Sequence, residues 1–369
     1  MKKRICWCGS DDLQSFSPEY ARCAKCGTLV ELAALSPEEL EVKNDDADFY
    51  GKQYWLKHQS EDFGYPDIFA RSRSDLIDRN LHWLETLLKY KAPGAKVLEL
   101  GCSHGSFVAM LRQVGYDASG MEMSPWVVEF AKETFDIPVF VGPVEDVEIE
   151  PGTYDVIALM DVMEHLPDPV GTMRHALSLL KPDGILLIQT PQFRTEMDYK
   201  TLIETDGAFL EQFKSDEHLY LFTKASASQL FKQLGADHIE FEEPIFKQYD
   251  MFFVVSRQPL NATDGTSATK LLETPHGRFA LALLDQRSQI DKLEEQVKII
   301  DADRQERLEN LLYLDNYAKS ADADRAEKMD AVARLQAHID EINADRAARL
   351  EQIHTLTKMV VDLQNAAKN

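Results

Sequence analysis

Val97-Leu98-Glu99-Leu100-Gly101-Cys102-Ser103-His104-Gly105-Ser106 is the stretch that decides the fold. Its apolar start reads as the end of a buried strand, and the pattern from Ser106 onward reads as a helix. The two glycines between them let backbone approach a ligand closely. A glycine-rich loop alone is weak evidence; strand before and helix after give it weight. Strand-like runs recur around it, at Lys96–Leu100, Tyr116–Glu122, Pro138–Gly142, Tyr154–Asp161 and Gly184–Thr190, with helical patterns between them. Ser124-Pro125 and Asp168-Pro169 mark helix starts, a capping side chain followed by Pro at the first helical position. Lys181-Pro182-Asp183-Gly184 reads as a helix-to-strand turn. This alternation predicts an α/β protein with a doubly wound parallel sheet. A less regular insert follows over Gln192–Glu217, then a helix over Ser226–Leu234. Strands at His238–Glu243 and Tyr249–Ser256 are expected to close the sheet as an antiparallel pair.

The second strand ends in Gly120-Met121-Glu122-Met123-Ser124. An acid placed about 20 residues beyond the loop can accept both hydroxyls of a ribose. A dinucleotide-binding fold would share the loop and the acid. Glu99 separates the two readings: an anion just before the turn repels a pyrophosphate but suits an ammonium group.

With these residues in place, the sequence resembles the class I S-adenosylmethionine-dependent methyltransferases over roughly Tyr50–Arg257. That resemblance implies a Rossmann-like methyltransferase sheet and S-adenosylmethionine as cofactor. Glu99, Gly101, Ser103 and Gly105 match the family's first motif, Ser103 standing where Gly is frequent. Glu122 matches the ribose-binding acid, with Met123 beside it. Gly142-Pro143-Val144-Glu145-Asp146 matches the segment lining the adenine. Pro143 replaces the usual acid there, so groups at Val144 and Glu145 are expected to take over. Met160-Asp161-Val162-Met163-Glu164-His165-Leu166-Pro167-Asp168-Pro169 is similar to the fourth-strand motif of the ubiquinone-type O-methyltransferase branch, and Asp161 joins the implied cofactor set. Asp216-Glu217-His218-Leu219-Tyr220-Leu221-Phe222 also fits that branch. From Tyr50-Gly51-Lys52-Gln53-Tyr54-Trp55 onward the chain resembles methyltransferases associated with bacterial glycosyltransferases and surface polysaccharides. The implied acceptor is a carbohydrate hydroxyl, or a small-molecule hydroxyl such as a phenol, with a glycosyltransferase as partner. Asn-Pro-Pro-Tyr, the mark of amino-methylating enzymes, is absent.

A hydroxyl acceptor needs its proton removed. His165, after the fourth strand, and His218, after the insert, are the two candidate bases. Each has a structural alternative, fixing its own loop through a backbone hydrogen bond. In the ubiquinone-type branch the positions matching Asp161, Glu164 and His165 are assigned to a divalent cation, so Mg2+ at Asp161 is the alternative to an imidazole base. His104 is read as shaping the loop.

Four of the five cysteines fall within the first 26 residues. Cys6 and Cys8 form one pair and Cys23 and Cys26 the other, each followed by Gly. Four thiolates in two tight turns suit a closed tetrahedral zinc site, and so short a segment cannot build a core without a staple. Cys-x-Cys is one residue shorter than the usual knuckle, which keeps a metal-free or redox-active segment open.

Beyond Gly277 every pattern is helical. Ala302-Asp303-Arg304, Ala323-Asp324-Arg325 and Ala344-Asp345-Arg346 recur every three heptads. Apolar positions recur with them: Leu308, Met329 and Leu350; Leu311, Val332 and Ile353; Leu314, Leu335 and Leu356. This predicts a self-associating coiled coil and hence a homo-oligomer, against the alternative of a helical hairpin packed on the enzyme. The expected organisation is a zinc-ribbon-like module at 1–36, a helical extension at 37–95, the methyltransferase domain at 96–257, a linker at 258–277 and a coiled coil at 278–366.

The 369 residues hold 63 Asp and Glu against 40 Lys and Arg, a net charge of −23. Phosphate binding needs clustered cations, so nucleic acid is an unlikely partner on charge grounds. The sequence has no apolar run of about 18 residues, so no membrane insertion is expected. The basic start is followed by Cys6-Trp7-Cys8-Gly9 rather than an apolar stretch, and a cytoplasmic setting with reduced thiols is expected. A cofactor-binding scaffold without turnover is the remaining non-enzyme reading.

Overall fold

The structure, a computed structural model, describes residues 4–33, 42–46, 48, 50–57, 64–263 and 265–367. The expected module boundary at 36/37 and the aromatic Phe49 lie outside these residues. The described chain divides into two compact units, residues 1–287 and 288–369.

The first unit is built on a seven-stranded sheet. Its strands are β4 (Lys96–Leu100), β5 (Asp117–Glu122), β6 (Val139–Val141), β7 (Tyr154–Met160), β8 (Leu180–Pro191), β10 (His238–Glu242) and β11 (Asp250–Ser256). They lie in the order β6-β5-β4-β7-β8-β11-β10. β4 pairs in parallel with both β5 and β7, and β7 in parallel with β8. The chain therefore runs outward from β4 one way and then from β7 the other. The crevice between those two strand ends is the topological switch point, where open α/β sheets bind ligands. Only β11 runs against the rest. It is antiparallel to β8, and β10 is antiparallel to β11, so the expected closing pair contains one reversed strand.

The strand interiors are apolar on both faces, as a covered sheet requires. Val97, Leu98, Val156, Ile157, Ala158, Leu159, Leu186, Leu187 and Ile188 are all fully buried. Each such Val, Leu or Ile is worth roughly 1.5–3 kcal/mol of burial. Helices Ser106–Gln113, Pro125–Phe135 and Pro169–Leu179 make the crossovers. Ser124 caps the second through Val127 N at 3.3 Å, and Asp168 caps the third through Gly171 N at 2.9 Å, with Pro at the first helical turn in both. The helix expected from Ser226 begins at Lys224 instead. Thr223 is its cap, and Ser226 is the third residue of a capping box, its hydroxyl accepting from Thr223 N at 2.9 Å.

The N-terminal strands β1 (Leu13–Ser15), β2 (Tyr20–Cys23) and β3 (Leu29–Glu31) form a second sheet. That sheet is completed by β9 (Tyr220–Leu221), from the far end of the insert, in the order β1-β2-β3-β9. Leu29 stands opposite Leu221 and Val30 opposite Tyr220. Tyr20, Leu29, Phe193, Phe209 and Leu221 share one buried cluster. The segment read from sequence as a module in front is thus fused to the insert, because β3 on its own would leave an open edge.

The expected linker at 258–277 is also revised. It contains a helix, Thr266–Leu272, and Leu271 packs in the cluster that holds Leu84, Leu87 and Ala280. Thr263 Oγ1 donates to Leu88 O at 2.9 Å, and Lys270 Nζ to Pro93 O at 2.9 Å. Its polar residues serve caps and ties to the domain rather than a tether. The last helix runs Pro275–Ala366. Beyond residue 287 its side chains are exposed, and Asp303–Arg307, Asp324–Lys328 and Asp345–Arg349 ion pairs repeat along it at the period of the sequence repeat. No helix is long and apolar enough to cross a membrane among the described residues.

Candidate active site

A cleft of about 1170 Å³ opens over the switch point. Single-ligand pockets span roughly 300–1,000 Å³, so this one has room for two ligands side by side. The loop after β4 floors one half. Gly101 and Gly105 have φ of +67° and +78°, and a Cβ on Gly105 would meet Ile137 Cδ1 at 2.4 Å. Ser103 has φ of +49°, the left-handed region that glycine adopts without penalty, and its buried Oγ has no partner among the described residues. Glu122 draws the loop together, accepting from Ser103 N at 3.0 Å, Met123 N at 2.8 Å and Ser124 N at 3.2 Å. Burial raises its carboxyl above the usual range against those three amides. Glu99 is also buried, and Oε2 has no partner among the described residues. Burial, and then the nearby Glu122, push its carboxyl well up. A cation arriving at that depth would favour the carboxylate form.

The rest of this half is closed by His104, Val144, Glu145 and Met123, named from the sequence, and by Asp45 and Asp75, which sequence reading left out. Asp45 accepts from Ser124 Oγ at 2.7 Å and from Trp126 N at 2.8 Å, capping the helix after β5 from a distant segment. His104 Nε2 lies 3.1 Å from Asp75 Oδ2, and burial holds its imidazole below the usual value. That contact anchors the loop to the helix Ile68–Asp75. Val144 is buried in a single turn, Val144–Asp146, while Glu145 is exposed and accepts from Thr172 Oγ1 at 2.5 Å. Met123 and Glu145 both line the cleft.

The other half gathers Tyr50, Tyr54, Trp55, Glu164, His165 and His218. His165 and His218 meet edge to face with ring centres 4.9 Å apart. His165 Nδ1 lies 2.9 Å from Glu217 O, and His218 Nδ1 lies 2.9 Å from Gln212 O. A carbonyl only accepts, so Nδ1 of His218 carries the proton and its Nε2 keeps a lone pair; Nδ1 of His165 also meets Tyr50 Oη at 3.1 Å. Burial lowers His165 to about 4; burial and then His165 lower His218 well below the usual value. Glu164 is buried, with Oε2 accepting from Thr190 Oγ1 at 2.8 Å, while Oε1 has no hydrogen-bond partner among the described residues and lies 3.9 Å from His165 Nε2. Burial and then Asp161 raise its carboxyl to about 8. The same causes, with Glu164 added, raise Asp250 to about 9. Trp55 Nε1 is buried and likewise has no partner among the described residues.

Asp161 stands between the halves, at φ of +57°. Its oxygens are occupied by Arg79 Nη1 at 3.1 Å and Gln189 Nε2 at 3.0 Å. The expected Asp161–Glu164–His165 cation set is therefore not what the structure gathers. His218 takes the third place instead, with a donor atom from each of Glu164, His165 and His218 within 4.8 Å of the others.

The four N-terminal thiols come together behind this half. Sγ atoms of Cys6 and Cys26 are 3.5 Å apart, those of Cys8 and Cys23 3.6 Å, and all four lie within 4.8 Å. A tetrahedral zinc with bonds of about 2.3 Å asks for sulfurs roughly 3.8 Å apart, so the set fits. Hydrogen bonds from the Cys6 thiol and from Thr28 pull Cys26 down to about 5, toward the thiolate a metal requires. The ribbon also reaches the site: Tyr20 Oη donates to His218 O at 2.9 Å, and Glu31 N to Leu219 O at 3.1 Å.

A family model described as a methyltransferase domain matches residues 70–240, spanning the glycine loop, Glu122 and the Asp161–His165 segment. The chain carries an S-adenosylmethionine-dependent methyltransferase domain. Among curated proteins, it is 34% identical over 104 residues to the ubiquinone biosynthesis O-methyltransferase of Xanthomonas campestris pv. campestris, 27% of this chain and 44% of that protein. The Xanthomonas euvesicatoria pv. vesicatoria protein of the same name is 33% identical over 103 residues, 26% of this chain and 43% of that one. The match thus spans less than half the length of these relatives. The magnesium protoporphyrin IX methyltransferase of Synechocystis PCC 6803, solved with bound SAH, is 18% identical. That alignment covers 56% of this chain and 98% of the other at a TM-score of 0.40, too loose a likeness to bear on the site.

Proposed function

We propose that the protein methylates a hydroxyl group of a sugar or surface polysaccharide, using S-adenosylmethionine. One observation carries this reading: the acceptor half offers a buried donor, Trp55 Nε1, and a buried acceptor, Glu164 Oε1, neither with a partner among the described residues, beside the rings of Tyr50 and Tyr54. Flat apolar faces set among carboxyl groups suit a polyol, whose ring faces are apolar and whose rim is hydroxyls.

The cofactor supplies an electrophilic methyl group on sulfur. Glu99 faces its cationic end, Glu122 its ribose, and Met123 and Val144 its base. The backbone of Gly101, Ser103 and Gly105 admits it closely. The acceptor oxygen gains the methyl carbon while the carbon–sulfur bond breaks, its electron pair staying on sulfur. The hydroxyl proton passes to the imidazole Nε2 of His165 or His218. Closing the cleft supplies alignment and excludes water.

A small phenol or quinone-type acceptor is the second reading, favoured by the names of the Xanthomonas relatives. Labelled S-adenosylmethionine offered with nucleotide sugars, lipid-linked glycans and small phenols separates the two. Label on phenols alone discards the sugar reading, and label on nothing favours a cofactor-binding scaffold. In the active assay, His165→Ala and His218→Ala should each lose about 10²–10⁴ in rate, the usual contribution of a positioned base.

The four cysteines are read as a structural zinc site and the 21-residue repeat as a homo-oligomeric coiled coil. A tail of that kind would hold the enzyme at a fixed spacing beside a glycosyltransferase partner.

A further inference from the structure

We propose that the acceptor carries a free amino group beside the hydroxyl that is methylated, and that Asp250 and Glu164 recognise this group as an ammonium ion. The inference rests on the hydroxyl-methylation reading above and narrows its acceptor to an amino sugar.

Three carboxyl groups meet where the sheet ends. Asp161 and Glu164 follow β7, and Asp250 opens β11, opposite Pro191 at the end of β8. Asp161 and Glu164 both repel the Asp250 carboxylate, and Arg79 offsets them. Arg79 does not serve all three. Its Nη1 is 3.1 Å from Asp161 Oδ2, and Gln189 Nε2 holds the other Asp161 oxygen at 3.0 Å. Lys214, another cation of this half, has Nζ 5.0 Å from the centre of the Tyr65 ring. Asp250 is 3% exposed, and its carboxyl accepts no hydrogen bond among the described residues. Glu164 is 1% exposed, and its Oε1 is likewise without a partner among them. Both residues line the cleft. A buried carboxylate is costly without an opposite charge, so what completes these two is a cation. A primary ammonium brings three N–H donors, enough for both.

Two further observations say what carries the amine. Trp55 Nε1 is a buried donor without a partner among the described residues, so the same ligand presents an oxygen as well as N–H groups. Glu164 Oε1 lies 3.9 Å from His165 Nε2, and groups bound at those two points belong to neighbouring carbons. An amine on Glu164 therefore brings the adjacent hydroxyl to the imidazole. Phe246 and Tyr249, in the turn before β11, supply ring faces. They lie nearly parallel with centres 5.3 Å apart, both half-buried and lining the cleft. Gln192 N donates to Tyr249 O at 2.7 Å and ties that turn to the end of β8. The Arg79 guanidinium already lies 5.1 Å from the centre of the Phe246 ring. Ring faces beside carboxylates attract cations, and they also pack on the apolar face of a sugar. The same charges reject a phosphate placed there, because like charges set against each other select against the wrong ligand.

The test uses the full chain saturated with S-adenosylhomocysteine, at a pH where the amines are protonated. Calorimetry compares the methyl glycosides of glucosamine, galactosamine and mannosamine, each beside its parent hexose and its N-acetyl form. At least one amine should bind about tenfold to a hundredfold more tightly than both its parent and its N-acetyl form, the worth of hydrogen bonds to charged groups. Asp250→Asn should cut that preference about tenfold and leave the affinity of the neutral parent within about twofold. Asp78→Asn, which removes an exposed acid from the same cleft, should keep the preference, so a local contact is told apart from overall charge. Affinity for S-adenosylhomocysteine, measured on every variant, shows that the fold is intact; Asp250→Ser replaces Asp250→Asn if that variant fails this control. The proposal is overturned if no amine is preferred to its parent, if the preference survives Asp250→Asn, or if Asp78→Asn lowers it equally. Labelled S-adenosylmethionine separates the two readings. Transfer to neutral parents with no preference for amines overturns the inference and keeps the methylation reading. Preference for an amine with no transfer to any acceptor keeps the recognition and removes the methylation reading alone.

Discussion

The two halves of the cleft are built by different means. The cofactor half is local: Glu99, the glycine loop and Glu122 sit within 24 consecutive positions, on two adjacent strands of one sheet. The acceptor half is assembled from afar. His165 follows β7, His218 follows the insert, and Tyr20, which holds the His218 carbonyl, lies 198 residues earlier. A half made of neighbours tolerates loss of distant parts, while a half made of strangers depends on whatever clamps them. Here the clamp is the cysteine ribbon, joined to the insert by the pairing of β3 with β9.

The sharpest way to break this contrast is to remove the clamp. Cys23→Ser should lose the metal expected at the four thiols and loosen the ribbon. Turnover should fall at least about a hundredfold, since small misplacements near a reacting centre cost that much. Affinity for S-adenosylhomocysteine should change by no more than about twofold, as expected for separated sites. Equal losses in both would show that the halves are not independent. Glu122→Ala is the reciprocal change. It removes the acceptor of three backbone amides and the ribose partner, a loss of about 1.5–3 kcal/mol for bonds to a charged group. That is on the order of tenfold to a hundredfold in affinity by calorimetry, with zinc content untouched.

A smaller effect sharpens the comparison through protons. Burial, and then Glu122, push the Glu99 carboxyl well above the usual range. A cationic ligand favours its ionised form, so binding should expel that proton. The sign follows: affinity rises with pH while Glu99 is protonated in the empty cleft, by up to about tenfold per unit for one proton released. Calorimetry in buffers of different ionisation enthalpy should detect the release, and Glu99→Gln should abolish it. The same heat of buffer protonation in both proteins would put the proton elsewhere.

What could be read from sequence divides along the same line. The β4 loop and the acid ending β5 were legible because both are short-range patterns: strand, turn, helix, then an acid at a set distance. Ser103 shows the limit even there. The sequence marks it as a departure from Gly, but only the φ of +49° shows that a side chain has been accepted in a glycine conformation. His165 and His218 were legible as candidates, yet not their shared neighbour Glu164 Oε1 or the displacement of Asp161 by Arg79. Those depend on side chains arriving from the helix before the domain. Asp45 carried no signal, since an acid in a polar segment is indistinguishable from a solvated one. The helix was read from Ser226, yet it begins just after Thr223, whose capping box uses both side chains. The linker was misread because Ser and Thr suit caps as well as tethers, and only Leu260 and Leu271 hinted at packing.

The tail belongs to neither half, and the smallest expected effect on the cleft comes from deleting it. Its repeat leaves Leu308, Met329 and Leu350 at 49%, 66% and 49% exposure, and Leu314, Leu335 and Leu356 at 57%, 65% and 61%. An isolated helix that exposes such a stripe gains from pairing it with another copy. The Asp of each repeat is already bonded within its own helix, to Arg307, Lys328 or Arg349. Arg304, Arg325 and Arg346 would be the charged layers that penalise a shifted register, Arg304 being itself 3.3 Å from Asp301 in its own helix. Where the cut falls matters. Ending the chain at Ser267 removes Leu271 and Ala280, 1% and 7% exposed, and should destabilise the domain by about 2–5 kcal/mol, as core deletions do. Ending it after Arg287 keeps the first compact unit whole, including the Arg287 bond to Ile77 O at 2.9 Å. The latter protein should bind S-adenosylhomocysteine and methylate a short acceptor within about twofold of the full chain, as independent regions do. Light scattering should show the full chain at a higher order than the shortened one. Two monomers would end the coiled-coil reading, and a shortened chain that keeps its order would move the interface into the first unit.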